Sequence, residues 1–278
     1  MARSAALDEI LTLDPIRDNE RIVYLSAACD FPFDMTRALE LALFRTYCVP
    51  SISGLLERTG KFIERPQQRF DDTDIILSEI LEHGHSSARG RQAIEQMNAA
   101  HGRFRIANDD FLYVLSTFIF EPIRWNRRFG WRPMHVKERE ALFQFWSAVG
   151  ELMGIDQIPG DIDAFEAFNI AYESRNFRYS AANARIGAVT IDLFVGRGPG
   201  FAAPLMRRAI MAFLDEPLLK AFGFSAPTTF ERFLAINALR LRAIALRVLP
   251  HRRTPISRMA LRRPSYPQGY DIETLGRS

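Results

Sequence analysis

Residues 92–105 read QAIEQMNAAHGRFR, and their spacing predicts a helix with one apolar face. That face carries, at intervals of three or four residues, Ile94, Met97, His101 and Phe104. Such a face packs inward in a globular protein, where a lone imidazole is uncommon. His101 therefore either has a hydrogen-bond partner of its own or serves as a nitrogen ligand.

The preceding helix, predicted to begin near Pro66, also has polar residues on the face that points inward. One of its faces carries Arg69, Thr73, Ile76 and Ile80, so a guanidinium also points towards the core. A buried guanidinium costs several kcal/mol unless an anion neutralises it. An arginine that needs an anion and a histidine that can bind a Lewis acid suggest haem, although a satisfied core histidine and an arginine paired with a buried carboxylate remain open.

Helical periodicity extends over most of the chain and predicts an all-α fold. Asp34 or Thr36 is placed to cap one helix, and Asn108 to cap another. The run AVTIDLFV at 188–195 has the composition of a strand, but no comparable run could pair with it, so it predicts a buried helix. The predicted helices cover about 35–48, 50–60, 66–83, 92–101, 109–120, 137–153, 161–179, 183–195, 201–214 and 228–249.

We expect one domain over residues 1–278, because no linker, repeat or low-complexity segment divides the chain. It would comprise an N-terminal arm at 1–35, a helical core at 36–249 and an extended surface tail at 250–278. The 278 residues are 47% hydrophobic and carry a net charge of +3. These values are typical of a globular protein and give little reason to expect a nucleic-acid partner.

Cysteine and apolar content indicate the expected compartment. Two cysteines are too few for a disulfide scaffold, and no run of 18 apolar residues or signal-peptide core occurs. We therefore expect a cytoplasmic protein. The amphipathic helix at 228–249 and its basic continuation to 262 could rest on an anionic membrane, but an arginine-rich surface helix packed on the domain is the favoured explanation.

Three other patterns favour structural roles. Glu82, His83 and His85 cluster where a helix ends, which suits a helix terminus better than a metal site. The arginine- and tryptophan-rich stretch at 122–133 is expected to end one helix and wedge the next. The glycine-rich stretch at 196–200 lacks the Lys-Ser/Thr of a phosphate loop and predicts a helix break.

The spacing of the polar residues resembles that of a known family. Arg69 and Thr73 form an Arg-x-x-x-Thr pair, and His101-Gly102 follows 28 residues after Thr73. This pattern resembles the rubber-oxygenase catalytic domain, which occurs in latex clearing proteins and MpaB-type oxygenases. The resemblance covers about residues 43–158 and is nearest to the MpaB-like branch, through the stretches FRTYCVPSISGLLERTGKF, NDDFLYVLSTFIFEPIRW, GWRP and FWSAVGELMGI.

The resemblance implies a specific chemistry. The family has a globin-like helical core around haem b, and its axial histidine falls on His101, with Arg69 and Thr73 near the haem. Its known activities are oxidative cleavages of carbon–carbon double bonds in isoprenoids, with dioxygen bound at the iron. We therefore expect a haem b-dependent oxygenase for a hydrophobic, unsaturated isoprenoid- or lipid-like substrate. A non-enzymatic carrier of haem or of a hydrophobic ligand is the alternative.

The sequence also departs from the family pattern. In latex clearing proteins, a lysine beside the motif threonine can cap the open side of the iron, whereas Asp72 occupies that place here. We expect Asp72 to lie on a solvated helix face. Those enzymes also use a glutamate as a proposed base, and no motif identifies either Glu57 or Glu64 as its counterpart.

Overall fold

The computed structural model describes residues 4–250 and 254–276. All regular secondary structure in these ranges is helical, which confirms the all-α prediction. We number the α-helices in chain order: α1 Ala5–Thr12, α2 Asn19–Leu25, α3 Pro32–Thr46, α4 Pro50–Arg58, α5 Lys61–Glu64, α6 Pro66–His83, α7 Ala88–His101, α8 Asn108–Phe129, α9 Val136–Leu152, α10 Ile162–Asn176, α11 Ala181–Val195, α12 Ala203–Phe213, α13 Glu216–Phe222 and α14 Thr229–Val248. A π-helical turn at Ser26–Asp30 and 3₁₀ turns at Gly200–Ala202 and Ile272–Thr274 complete the described helices.

The helices that carry the predicted site residues end where the sequence indicates, and α6 also begins there, whereas α7 begins at Ala88, four residues before the predicted start. Pro66 occupies the first turn of α6, and Gly84 ends that helix with a φ of 79°. Helix α7 ends at His101, followed by Gly102. Residues 188–195 lie within α11, which confirms that this run is helical. The two faces that carry Arg69, Thr73 and His101 therefore belong to two consecutive helices, α6 and α7, which pack against each other.

Two predicted helix caps are wrong because the side chains have distant partners. Helix α3 begins at Pro32, and the Asp34 carboxylate accepts hydrogen bonds from Trp125 Nε1 at 3.1 Å and from Arg242 Nη1 at 2.9 Å. Asn108 is the first residue of α8 rather than its cap, and its side chain bonds to the backbone of Asp156. Tertiary contacts replace the local capping bonds that the sequence suggested.

Helix α8 ends within the 122–133 stretch, as predicted, but Pro122 lies inside the helix, so the predicted helix end near residue 120 is wrong. The helix continues for seven further residues, to Phe129. Trp125 and Phe129 are buried there and pack against Phe213 at ring-centroid distances of 6.1 and 5.7 Å. This packing, together with the pairing of α8 with α3, offsets the one backbone hydrogen bond that the proline removes.

Residues 4–35 contribute to the core. Ile10 in α1 and Ile22 in α2 are fully buried, and both helices contact α9. Asp30, at the end of the π-helical turn, accepts a hydrogen bond from buried Arg132, which also donates to Glu138 Oε2 at 2.6 Å. A buried carboxylate–arginine–carboxylate group therefore joins this segment to the start of α9.

The described part of the C-terminal tail has irregular backbone but is anchored in the protein, so the prediction that it lies on the surface is wrong. Arg258 and Arg263 are buried, and both pair with Asp74 of α6, at 2.8 and 2.6 Å. Ile272 and Leu275 join the main hydrophobic core. Burial of these charges is tolerated because each has an anionic partner.

The core is built around α8, which packs against α3, α9 and α10. Aromatic side chains fill it, including the fully buried Trp146, Phe120 and Phe165. The α6–α7 pair lies at one side of this core and leaves a space between itself, α4 and α8. In the described part of the chain, no helix is long and apolar enough to cross a membrane.

Candidate active site

A cavity of about 490 Å³ lies between α3, α4, α6, α7 and α8, and Arg69, Thr73 and His101 all line it. The structure thus brings together the three residues that the sequence selected. A volume of this size is within the range of small-molecule and cofactor sites. Most of the wall is apolar and includes Leu43, Ile52, Leu55, Leu56, Ile76, Leu77, Met97, Phe104, Ile106, Phe111, Val114, Leu115, Phe118, Trp146, Met153 and Ile155.

The His101 imidazole is neutral at physiological pH. Burial, reinforced by the positive charge of Arg69, lowers its pKa to about 4. Its ring packs edge-to-face on Phe111, with 5.4 Å between centroids. The Nδ1 atom is buried and lacks a hydrogen-bond partner among the described residues. Phe104, predicted on the same helical face, instead follows the end of α7 and is 41% exposed.

Arg69 and Thr73 form a unit one helical turn apart. Arg69 Nη1 donates to the Thr73 hydroxyl, which itself donates to the Arg69 carbonyl oxygen at 3.1 Å. Arg69 has no carboxylate partner among the described residues, so the open alternative of a buried ion pair is not met. The guanidinium charge is therefore available to an anion in the cavity.

Positive charge dominates the polar part of the wall. The two acidic residues there, Asp72 and Asp110, are buried, and each accepts a hydrogen bond from a tyrosine hydroxyl. The basic lining residues form no ion pair among the described residues, and they are Arg58, Lys61, Arg65, Arg69, Arg103 and Arg105. An apolar cavity with this charge favours an amphipathic ligand that carries anionic groups.

Asp72 is buried, so the prediction of a solvated position is wrong. Its carboxylate accepts hydrogen bonds from the Tyr266 hydroxyl and from the Gly276 backbone N–H, the latter at 3.2 Å. Both donors belong to the C-terminal tail, and Gly276 also lines the cavity. The residue in place of the family's lysine thus attaches the tail to the cavity wall.

Sequence reasoning missed Tyr47, which lines the cavity at the end of α3. Burial raises the pKa of its hydroxyl to about 12, against the opposing effect of the Arg69 charge. Its ring packs edge-to-face on Phe62, with 5.3 Å between centroids. The hydroxyl is protonated at neutral pH and can donate a hydrogen bond. The only available signal was its position within the FRTYC stretch of the family resemblance.

The other candidate residues lie outside this cavity. Glu57 pairs with Arg185, and neither Glu57 nor Glu64 lines the wall. Cys48 is buried and burial raises the pKa of its thiol well above the usual value, so it is not an activated nucleophile.

The polar cluster at the end of α6 has partners on neighbouring segments. His85 Nε2 lies 3.1 Å from Asn19 Oδ1, and His83 lies 3.4 Å from Glu79. Glu82 accepts a hydrogen bond from Ser257 in the tail at 2.9 Å. In the part of the chain that the structure describes, no three His, Cys, Asp or Glu side chains are grouped so that they could hold a metal ion by themselves.

Comparison with known proteins identifies similar chains. The family model described as "ER-bound oxygenase mpaB/B'/Rubber oxygenase, catalytic domain" matches residues 50–248. The chain is 34% identical to ER-bound oxygenase mpaB of Penicillium roqueforti over 137 residues, which cover 47% of this chain and 46% of the relative. It is 26% identical to ER-bound oxygenase mpaB' of Penicillium brevicompactum over 242 residues, which cover 80% and 57% respectively. The chain thus spans about half the length of these curated relatives.

Proposed function

Because this chain belongs to the mpaB/rubber oxygenase catalytic-domain family, we propose that it is a haem b-dependent oxygenase. Its substrate would be a hydrophobic, unsaturated isoprenoid- or lipid-like molecule, oxidised by dioxygen. The single observation that carries the proposal is the neutral imidazole of His101 in an apolar cavity, whose buried Nδ1 has no hydrogen-bond partner among the described residues. We assign this chemistry to the core at 36–249 of a single domain and expect a cytoplasmic location.

The residues of the cavity fit a haem. An iron porphyrin brings four nitrogen donors of its own, so one protein imidazole is enough even though the described residues form no cluster of metal ligands. His101 would hold the iron, since a neutral imidazole has a free lone pair. The basic residues of the wall, which form no ion pair among the described residues, would neutralise the two propionates, and Arg69 of the motif is one of them.

When bound, the haem supplies an iron that can bind and activate dioxygen. The residues of the chain prepare the site for that chemistry. Thr73 accepts a hydrogen bond from Arg69, which would orient the guanidinium for a propionate or for dioxygen. The Tyr47 hydroxyl remains protonated and can donate to a polar atom of the ligand. The apolar walls exclude water and accept a hydrocarbon chain.

Asp72 stands where latex clearing proteins have a lysine, and this difference bears on whether the rubber-cleaving reaction can be assigned. This carboxylate already accepts hydrogen bonds from Tyr266 and Gly276, so it is not free to act at the iron as the family's lysine does. We therefore propose the general oxygenase chemistry without assigning rubber as the substrate.

The test is the haem content of the purified protein. Chain expressed in haem-supplemented cells should show a Soret band and a pyridine haemochrome signal equivalent to one haem per chain. The variant His101→Ala should lose both while keeping its helical circular dichroism. His83→Ala, which removes an exposed imidazole outside the cavity, is the matched control and should retain haem. A folded, colourless wild type that does not take up added haem would refute the proposal.

The alternative is a non-enzymatic carrier of haem or of a hydrophobic ligand. The basic groups around an apolar cavity favour it too, because they suit the carboxylate of a fatty acid as well as a propionate. The two functions differ in oxygen consumption. Uptake of dioxygen on addition of an unsaturated isoprenoid supports the oxygenase, whereas ligand binding without uptake supports the carrier.

A further inference from the structure

Helix α14 exposes an apolar face along its whole length. Its inward side packs on the domain through residues that include Ile236, Leu239 and buried Ala243. A helix at the surface of a globular domain normally presents polar residues on the opposite side. Here the outward side is apolar at intervals of three and four residues, and its exposed members are Phe230, Phe233, Leu234, Ala238, Leu241, Ile244, Ala245 and Val248.

This apolar face is too extended to be a scatter of single exposed side chains. A helix of 20 residues is roughly 30 Å long. Leu241, near its middle, is 65% exposed, and Val248, at its end, is 83% exposed. The preceding segment, which packs on α14 through α12, adds Phe201 and Leu205, with exposed fractions of 91% and 71%. A contiguous apolar surface of this kind marks a site of interaction.

The charges that border the face are positive. Arg240 and Arg247 are exposed and seven residues apart, so they follow the same edge of the helix. Exposed Arg128 of α8 is close enough to Arg240 for their charges to repel. The one acidic residue of α14, Glu231, is engaged by its own helix cap and by Arg208 at 2.8 Å.

We propose that this face of α14 docks on the surface of an anionic lipid bilayer. The apolar side chains would enter the boundary between head groups and acyl chains, while Arg128, Arg240 and Arg247 would contact the anionic head groups. A second copy of the chain fits less well, because an antiparallel two-fold contact along this face would bring the two arginine-bearing edges together. None of these residues lines the cavity, so this surface is independent of the haem proposal.

Flotation with vesicles tests the docking surface. The full chain should bind vesicles made of equal parts of phosphatidylcholine and phosphatidylserine, bind phosphatidylcholine alone much more weakly, and detach as salt is raised. Arg240→Gln should weaken binding about fivefold, the value expected for one basic residue at such a surface. Leu241→Asp should weaken it more than tenfold, because it places a charge within the apolar face.

Matched controls come from α10, which carries exposed residues of the same types. Ile170→Asp and Arg175→Gln should bind vesicles as the wild type does. Circular dichroism checks that each variant is folded. Failure of the wild type to bind either vesicle, or undiminished binding by Leu241→Asp, would overturn the proposal. Sedimentation that reveals a dimer abolished by Leu241→Asp, without vesicle binding, would overturn it in favour of a second copy.

Discussion

Protonation of His101 should destabilise the fold as the pH falls. The imidazole has its ordinary pKa of 6.5 in the unfolded chain and a pKa of about 4 in the folded protein. Between these values the unfolded state binds more protons, so the free energy of unfolding decreases as the pH is lowered. For one group with these two pKa values, the loss relative to neutral pH is about 2 kcal/mol at pH 5 and about 3 kcal/mol at pH 4.

The assay compares urea unfolding of haem-free wild type and His101→Phe from pH 7 to pH 4. The difference between the two free energies of unfolding should change by the amounts above, because only the wild type carries this titrating group. Phe111→Leu is the matched control, since it alters the ring packed on His101 without removing the imidazole. Its profile should stay parallel to that of the wild type. Parallel profiles for wild type and His101→Phe would refute the assignment of a buried, neutral imidazole.

Two further variants test the cavity wall. Asp72→Ala leaves the Tyr266 hydroxyl and the Gly276 N–H without their acceptor, so it should lower the free energy of unfolding by about 1–3 kcal/mol. It should also expose the C-terminal tail to limited proteolysis, and an unchanged digestion pattern would contradict this. Gly150→Ala would place a Cβ 2.5 Å from Cδ2 of Leu115, which lines the cavity. This overpacking should lower the free energy of unfolding in urea by about 1–3 kcal/mol. An unchanged midpoint and slope of the urea curve would show that Leu115 moves away without cost.

The elements that carry the site could be predicted because their signals are local. Pro66 and Gly84 mark the ends of α6, and the spacing of apolar residues assigns the faces of α6 and α7. Polar residues on those faces then identify Arg69, Thr73 and His101, all of which line the cavity. A helix that buries one side determines which of its residues meet the interior, so no information about distant segments was needed.

The remaining parts of the site depend on contacts between residues far apart in the chain. Asp72 is 194 residues from Tyr266, and no local pattern indicates that the tail would return to α6. The continuation of α8 beyond Pro122 depends on the packing of Trp125 and Phe129 against Phe213. Local propensity is a weak prior where tertiary packing opposes it, and these are the positions at which sequence reasoning was wrong.

The tail links the stability of the fold to the shape of the cavity. Gly276 contributes to the cavity wall, and it is held there by Asp72, the residue next to the motif threonine. Arg258 and Arg263 fix the same tail to Asp74, two residues further along α6. The helix that places Arg69 in the cavity wall therefore also anchors the segment that lines one side of the cavity. A substitution that frees the tail should alter ligand affinity as well as stability, even though none of these anchoring residues need touch the reacting atoms.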